Sequence, residues 1–173
     1  MSPASLLVAA TIWTALTLYA TGEYGRTRRP PAPWARPVWL LGAVFYLAHV
    51  AAAFDTHHGW SHAAAYAYTA AQTEVLVGLH WGDGLWLNYA FTAIWVGEAV
   101  WWQACPARHA RRSPLWTPVL RGIFLFMIVN GAVAFVSGPR RALGIAILAA
   151  LIGVWRSAGP PASGHPGRVD REP

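Results

Sequence analysis

The sequence predicts an all-α integral membrane protein: a small polytopic helix bundle of five spans plus one amphipathic re-entrant or interfacial helix. Three observations carry this expectation. The 173-residue chain is 55% hydrophobic and 12% charged, with a mean hydropathy of +0.34, outside the range of soluble domains. Apolar runs without central charge recur at about the 20 residues that a helix needs to cross a bilayer. Most of its 11 tryptophans fall near the ends of those runs, where indole rings favour the membrane–water interface. The length suits one domain, placed at residues 1–156. The segment 157–173, SAGPPASGHPGRVDREP, is rich in Pro, Gly and Ser and is expected to be a disordered tail.

The first span is Ala4 to Ala20. It has no basic segment before it and is followed by RTRR, the reverse of a cleavable signal peptide, so it reads as an uncleaved anchor with its N-terminus outside. Thr21 to Arg36 holds four arginines and three prolines and is expected to be an irregular cytoplasmic loop. Val38 to Phe54 returns the chain outward. Leu85 to Ala104 is a further span, carrying Glu98 and followed by the basic CPARHARRSP. Thr117 to Gly138 comes next, then Ala142 to Trp155. That last run is short, about 21 Å as a helix, and marginal for a crossing.

Ser61 to Leu79 has helical composition but carries Thr69, Gln72, Thr73 and Glu74. Cytoplasmic loops collect positive charge. If this segment stays on the outer side, every arginine except Arg140 and Arg141 falls inside. If it crosses, giving six spans, the arginines divide almost evenly. The five-span topology therefore fits better, with the C-terminal tail cytoplasmic.

The net charge of +6 does not indicate nucleic acid, because the arginines stand in short groups at the ends of apolar runs. The chain has no lysine. Its one cysteine, Cys105, excludes an internal disulfide and a Cys-rich metal site. Glycine-rich phosphate loops, GxSxG and HExxH are absent.

The polar side chains that remain are concentrated. Five of the seven histidines lie between positions 49 and 80, three of them in FDTHHGWSH. On a helix extended back to His58, the residues His58, His62, Tyr66, Thr69, Thr73 and His80 fall within about 40° of one line, with alanines opposite. In the span from Leu85, a seam of Asn88, Phe91, Trp95, Glu98 and Trp102 must face protein, since a charge toward lipid costs roughly 2.5–3.5 kcal/mol. Imidazole and carboxylate are ligands for iron, copper and zinc. The expected site sits in the outer half of the bundle, with His49, His58, His62, His80 and Glu98 as metal ligands. Asp55, His57, Tyr66, Thr69, Thr73, Glu74 and Asn88 stand around it as supporting or proton-relay groups. His49, the deepest histidine, suits either an axial haem ligand with a partner on another helix or, as a single buried histidine more often is, a core residue satisfied by a hydrogen bond. His109 and His165, in basic segments, are expected to be solvated, and Glu98 has Arg121 as an alternative partner.

The leading functional expectation is a metal- or haem-binding membrane protein, with redox chemistry as one use of the site. A non-catalytic subunit or assembly factor docking a membrane-protein partner is the alternative. A small proton-coupled transporter using Glu74, Glu98 and the histidines comes third, weakened by the lack of an inverted repeat. Apart from the lipid bilayer and such a partner, no macromolecule is implied.

Overall fold

The computed structural model describes residues 2–158, and among these every regular element is helical. The expected tail, His165 included, lies outside the described residues but for its first two positions. The elements are α1 (Pro3–Thr27), α2 (Ala35–Ala53), α3 (His62–Val77), α4 (Gly84–Ala104), a short α5 (Pro106–Ala110), α6 (Trp116–Val129) and α7 (Pro139–Ser157). Two π-helical turns, Phe54–His58 and Asn130–Ala134, continue α2 and α6. Pro3–Thr27, Ala35–His58 and Trp116–Ala134 are long and apolar enough to cross a membrane.

Local chemistry sets the boundaries. Ser2 caps α1 by accepting from the Ser5 amide at 3.2 Å, with Pro3 in the first turn, where no amide is needed. Ser61 caps α3 in the same way, accepting from Ala64 N at 3.2 Å. Gly78, at φ 76°, ends α3 in the left-handed conformation and donates its amide to Glu74 O, as helix-terminating glycines do.

Five helices build the core. α1 supplies Ala15, Leu16 and Tyr19; α2 supplies Trp39, Ala43 and Tyr46; α4 supplies Phe91, Trp95 and Ala99. Phe124 and Ile128 of α6 join Ile147 and Leu151 of α7. Lipid is as apolar as leucine, so burial alone does not hold such helices together; packing does. Aromatic pairs are prominent here. Tyr19 stacks on Phe124 at 4.0 Å, Tyr46 stacks on Trp95 at 4.9 Å, and Phe124 meets Trp95 edge-on at 4.9 Å. Each such pair contributes about 0.5–1.5 kcal/mol beyond its buried area. Close approach needs small residues: a Cβ on Gly144 of α7 would collide with the Ala132 carbonyl.

The ends of the bundle are chemically distinct. Gln103 donates to Arg36 O at 3.0 Å, while Arg121 and Trp155 both reach Glu23. These contacts gather the end of α1, the start of α2, the end of α4, the start of α6 and the end of α7 into one basic end. At the other end, His49 of α2 bonds to Val8 O of α1. α3 sits there, touching α4 and the first π-turn. Its buried residues are Ala65 and Ala70, neither of them in the main core cluster.

Three expectations are corrected. The loop expected from Thr21 is helical to Thr27, because Glu23 is fully buried and held by Arg26, Arg121 and Trp155. The final helix is 19 residues rather than 14, about 28 Å long, since it begins at Pro139 and includes both arginines. The single polar stripe from His58 to His80 does not exist. Gly59 and Trp60 take left-handed backbone (φ 53° and 58°), and Ser61 starts a new helix. His58 therefore belongs to the turn ending α2, and His80 lies beyond the Gly78 cap.

Candidate functional site at the histidine end

A cavity of about 970 Å³ opens at this end between α1, α2, α3, α4 and α6. Its walls are mainly apolar and aromatic, with Trp13, Tyr46, Phe91 and Trp95 among them. Polar groups interrupt them: His49, Thr69, Gln72, Thr73, Asn88 and Asn130. Both π-turns contribute, through Phe54, His57 and His58 on one side and Asn130, Gly131 and Ala132 on the other. Such turns recur at functional sites because they re-aim side chains that a regular helix would carry elsewhere.

His49 is the most deeply buried histidine of the cavity wall. Its Nδ1 lies 3.0 Å from the Val8 carbonyl oxygen. A carbonyl only accepts, so Nδ1 carries the proton and Nε2 holds the lone pair. A histidine that ligates a metal is commonly fixed in this tautomer by a backbone carbonyl. Of the four buried side-chain polar atoms without a hydrogen-bond partner among the described residues, two are His58 Nδ1 and the indole Nε1 of Trp95. Both residues line the cavity. Buried polar atoms normally find partners; these two have none and almost no accessible surface.

The other expected site residues are spread out. His57 stacks on Tyr68 at 6.2 Å and lines the cavity mouth, and His58 meets the same tyrosine edge-on at 5.2 Å. His62 Nδ1 is 3.0 Å from the Tyr89 hydroxyl, outside the cavity wall. His80 pairs with Glu74 at 2.6 Å on the exposed surface. Asp55 accepts from Trp60 Nε1 at 3.1 Å, and Tyr66 packs over Gly82. The hydroxyls of Thr69 and Thr73 donate to carbonyls one turn back in α3, while Asn88 faces the cavity. Among the described residues no three His, Cys, Asp or Glu side chains are grouped as a metal ion requires.

Glu98 lies at the opposite, basic end. It accepts from His109 Nε2 at 2.8 Å, from Trp116 Nε1 at 3.1 Å and from Arg112. Its expected partner Arg121 instead pairs with Glu23 at 3.3 Å. His109, expected in solvent, is 5% exposed and stacks on Trp102 at 5.2 Å. The basic loop folds back over the end of α4, and no periodicity in ARHARR announces that. Trp39 is a core residue.

Sequence reasoning missed Trp13, Tyr46 and Asn130 as site residues. Asn130 carried a signal, a lone amide inside an apolar run; the two aromatics carried none that separates lining from core.

The fold and the cavity define a class, an all-helical protein suited to a lipid bilayer with a cavity at one end. No protein family, curated protein or solved structure matches the chain.

Proposed function

We propose that the protein is a haem-binding integral membrane protein, with α1, α2, α4, α6 and α7 as its five spans, α3 at the outer surface and the N-terminus outside. The haem lies in the outer-half cavity with His49 as its axial ligand. The observation that carries this is the His49 ring: it lines the cavity and its Nδ1 proton is committed to the Val8 carbonyl. Its remaining nitrogen, Nε2, is a lone-pair donor suited to ferric or ferrous iron.

The dispersal of the other histidines favours haem over a bare iron, copper or zinc ion. A bare ion needs three or more protein ligands in one place. A porphyrin brings four nitrogens of its own, so one imidazole suffices. The aromatic lining suits a flat macrocycle. His62, His80 and Glu98 have no part in this reading, since each already has a partner away from the cavity.

The test uses protein purified in mild detergent without a metal-affinity tag and titrated with ferric haem. A sharp absorption band of bound haem, saturating at one equivalent, is expected for the wild type. His49→Ala is expected to weaken binding at least tenfold, and His62→Ala to leave it unchanged. No binding by the wild type, or equal binding by His49→Ala, overturns the proposal. Elemental analysis showing stoichiometric copper or zinc would instead favour a bare-ion site. A large co-purifying membrane protein without a ligand would favour the subunit role.

A further inference from the structure

α3 is a wall of the cavity that the rest of the bundle holds lightly. Tyr68, Thr69, Gln72, Thr73, Leu76 and Val77 line the cavity from it. Yet only Ala65 and Ala70 of its 16 residues are buried, and neither belongs to the main core cluster. A buried alanine brings one methyl group, so the apolar burial that docks α3 is small beside that of α2, which seats Trp39 and Tyr46. From Glu74 to Val77 the helix is exposed, Val75 at 91%.

Polar contacts add little. Among the described residues one hydrogen bond joins α3 to another helix: His62 Nδ1 lies 3.0 Å from the Tyr89 hydroxyl of α4. The side-chain bonds of Thr69, Thr73 and Glu74 stay within α3 or reach the segment that leaves it. Tyr66 rests on Gly82, where a Cβ would come within 2.6 Å of its ring, and Tyr68 lies against His57 and His58. Backbone joints bound the helix on both sides. Gly59 and Trp60 precede it at φ 53° and 58°, and Gly78 follows it at 76°. Left-handed residues interrupt the helical ladder, so turning at these joints breaks no hydrogen bond inside a helix.

We propose that α3 is a gate over the cavity, hinged at Gly59–Trp60 and at Gly78 and latched by the His62–Tyr89 hydrogen bond, and that the cavity's ligand enters and leaves when this latch opens. Local opening draws on segments with few buried contacts, and closure of such a segment over a site shuts its occupant away from water. His62 stands outside the cavity wall, so it governs the passage of the ligand and not its grip. The opening of α3 is independent of what the cavity holds; the ligand rates in the test rest on the haem reading.

The test has two arms. The first is hydrogen–deuterium exchange of the ligand-free protein in mild detergent, following the amides of α3 against those of α2 and α4. An undocked helix of 16 residues is marginal in water, so its amides are expected to exchange ahead of the core helices. His62→Ala is expected to speed α3 exchange about fivefold, the scale of one net hydrogen bond, and to leave α2 and α4 unchanged. The second arm measures the rates of ferric haem uptake and release. Both are expected to rise about fivefold in His62→Ala with the dissociation constant unchanged, because the latch holds the gate in bound and free protein alike. His62→Phe keeps a ring against Trp86 and loses the hydrogen bond; it serves if the alanine variant does not fold. α3 exchange that keeps pace with the core overturns the gate. So does faster exchange with both haem rates unaltered, which would make His62 a packing residue only, and so does a change in one rate alone. If folded wild type takes up no haem, the haem reading falls by itself: α3 exchange ahead of the core and faster in His62→Ala would still support the gate, and exchange in step with the core would still overturn it.

Discussion

Glu98 offers the most demanding test of the packing argument, because two different roles for it give opposite results. Its side chain is 2% exposed, beside His109 at 5% and Arg112 at 9%. Replacing Glu98 with Ala leaves the imidazole, the guanidinium and the Trp116 indole without their shared acceptor. Breaking a buried ion pair from one side costs about 3–5 kcal/mol, since the remaining charge stays desolvated. For a chain of this size each kcal/mol moves Tm by about 2–4 °C, so the Ala variant is expected to melt roughly 6–20 °C below wild type. Glu98→Gln loses the charge and one of the two acceptor oxygens, setting its NH2 against either the Trp116 indole or the His109–Arg112 pair, so a drop of at least about 1.5–3 kcal/mol is expected. The assay is thermal unfolding in mild detergent, followed by tryptophan fluorescence and far-ultraviolet circular dichroism. Haem affinity, measured well below the midpoint, is expected to be unchanged, because the carboxylate sits at the end remote from the cavity. An Ala variant within about 1 kcal/mol of wild type would refute the clamp. A stable variant that lost haem would show that Glu98 serves the site after all.

The remaining expectations are quicker to check. Glu23→Ala is expected to destabilise by a similar margin to Glu98→Ala, since Glu23 is fully buried and takes Arg26, Arg121 and Trp155 together; thermal melting reads it. Gly144→Val should prevent α7 from seating on the second π-turn, where even a Cβ meets the Ala132 carbonyl. The expected outcome is loss of a monodisperse peak in size-exclusion chromatography, or a melting point lowered by several degrees. His80→Ala removes an ion pair whose side chains are 68% and 56% exposed, and exposed pairs contribute little. Its melting curve is expected to overlay that of wild type.

The two clamps join the basic end of the bundle across several helices. Each buries one carboxylate under arginine and the N–H of a tryptophan, tying three segments at a time: α1, α6 and α7 at Glu23, and α4, the α5 loop and α6 at Glu98. At the histidine end, two α-helices loosen into π-turns and α3 adds no residue to the main core cluster. Buried ion-pair clamps at one end and irregular backbone at the other suit a scaffold that carries its binding site where the chain is least regular.

The sequence by itself determined the helical class and the apolar helices, because hydropathy over a window and the 3.6-residue period are local properties that lipid and backbone hydrogen bonding impose directly. It also determined that Phe91, Trp95 and Glu98 face protein, since one seam on one helix can be read from spacing alone, and that five of the seven histidines lie between positions 49 and 80. Only the tertiary structure decided which groups meet. His49 finds its carbonyl 41 positions away and Glu23 finds an indole 132 positions away, distances across which no periodicity carries information. Two left-handed residues at Gly59 and Trp60 break a stripe that composition presents as continuous. The cavity belongs to no segment. It is the space left when five helices close on aromatic side chains at one level and α3 stands off at another, and that depends on how the helices pack.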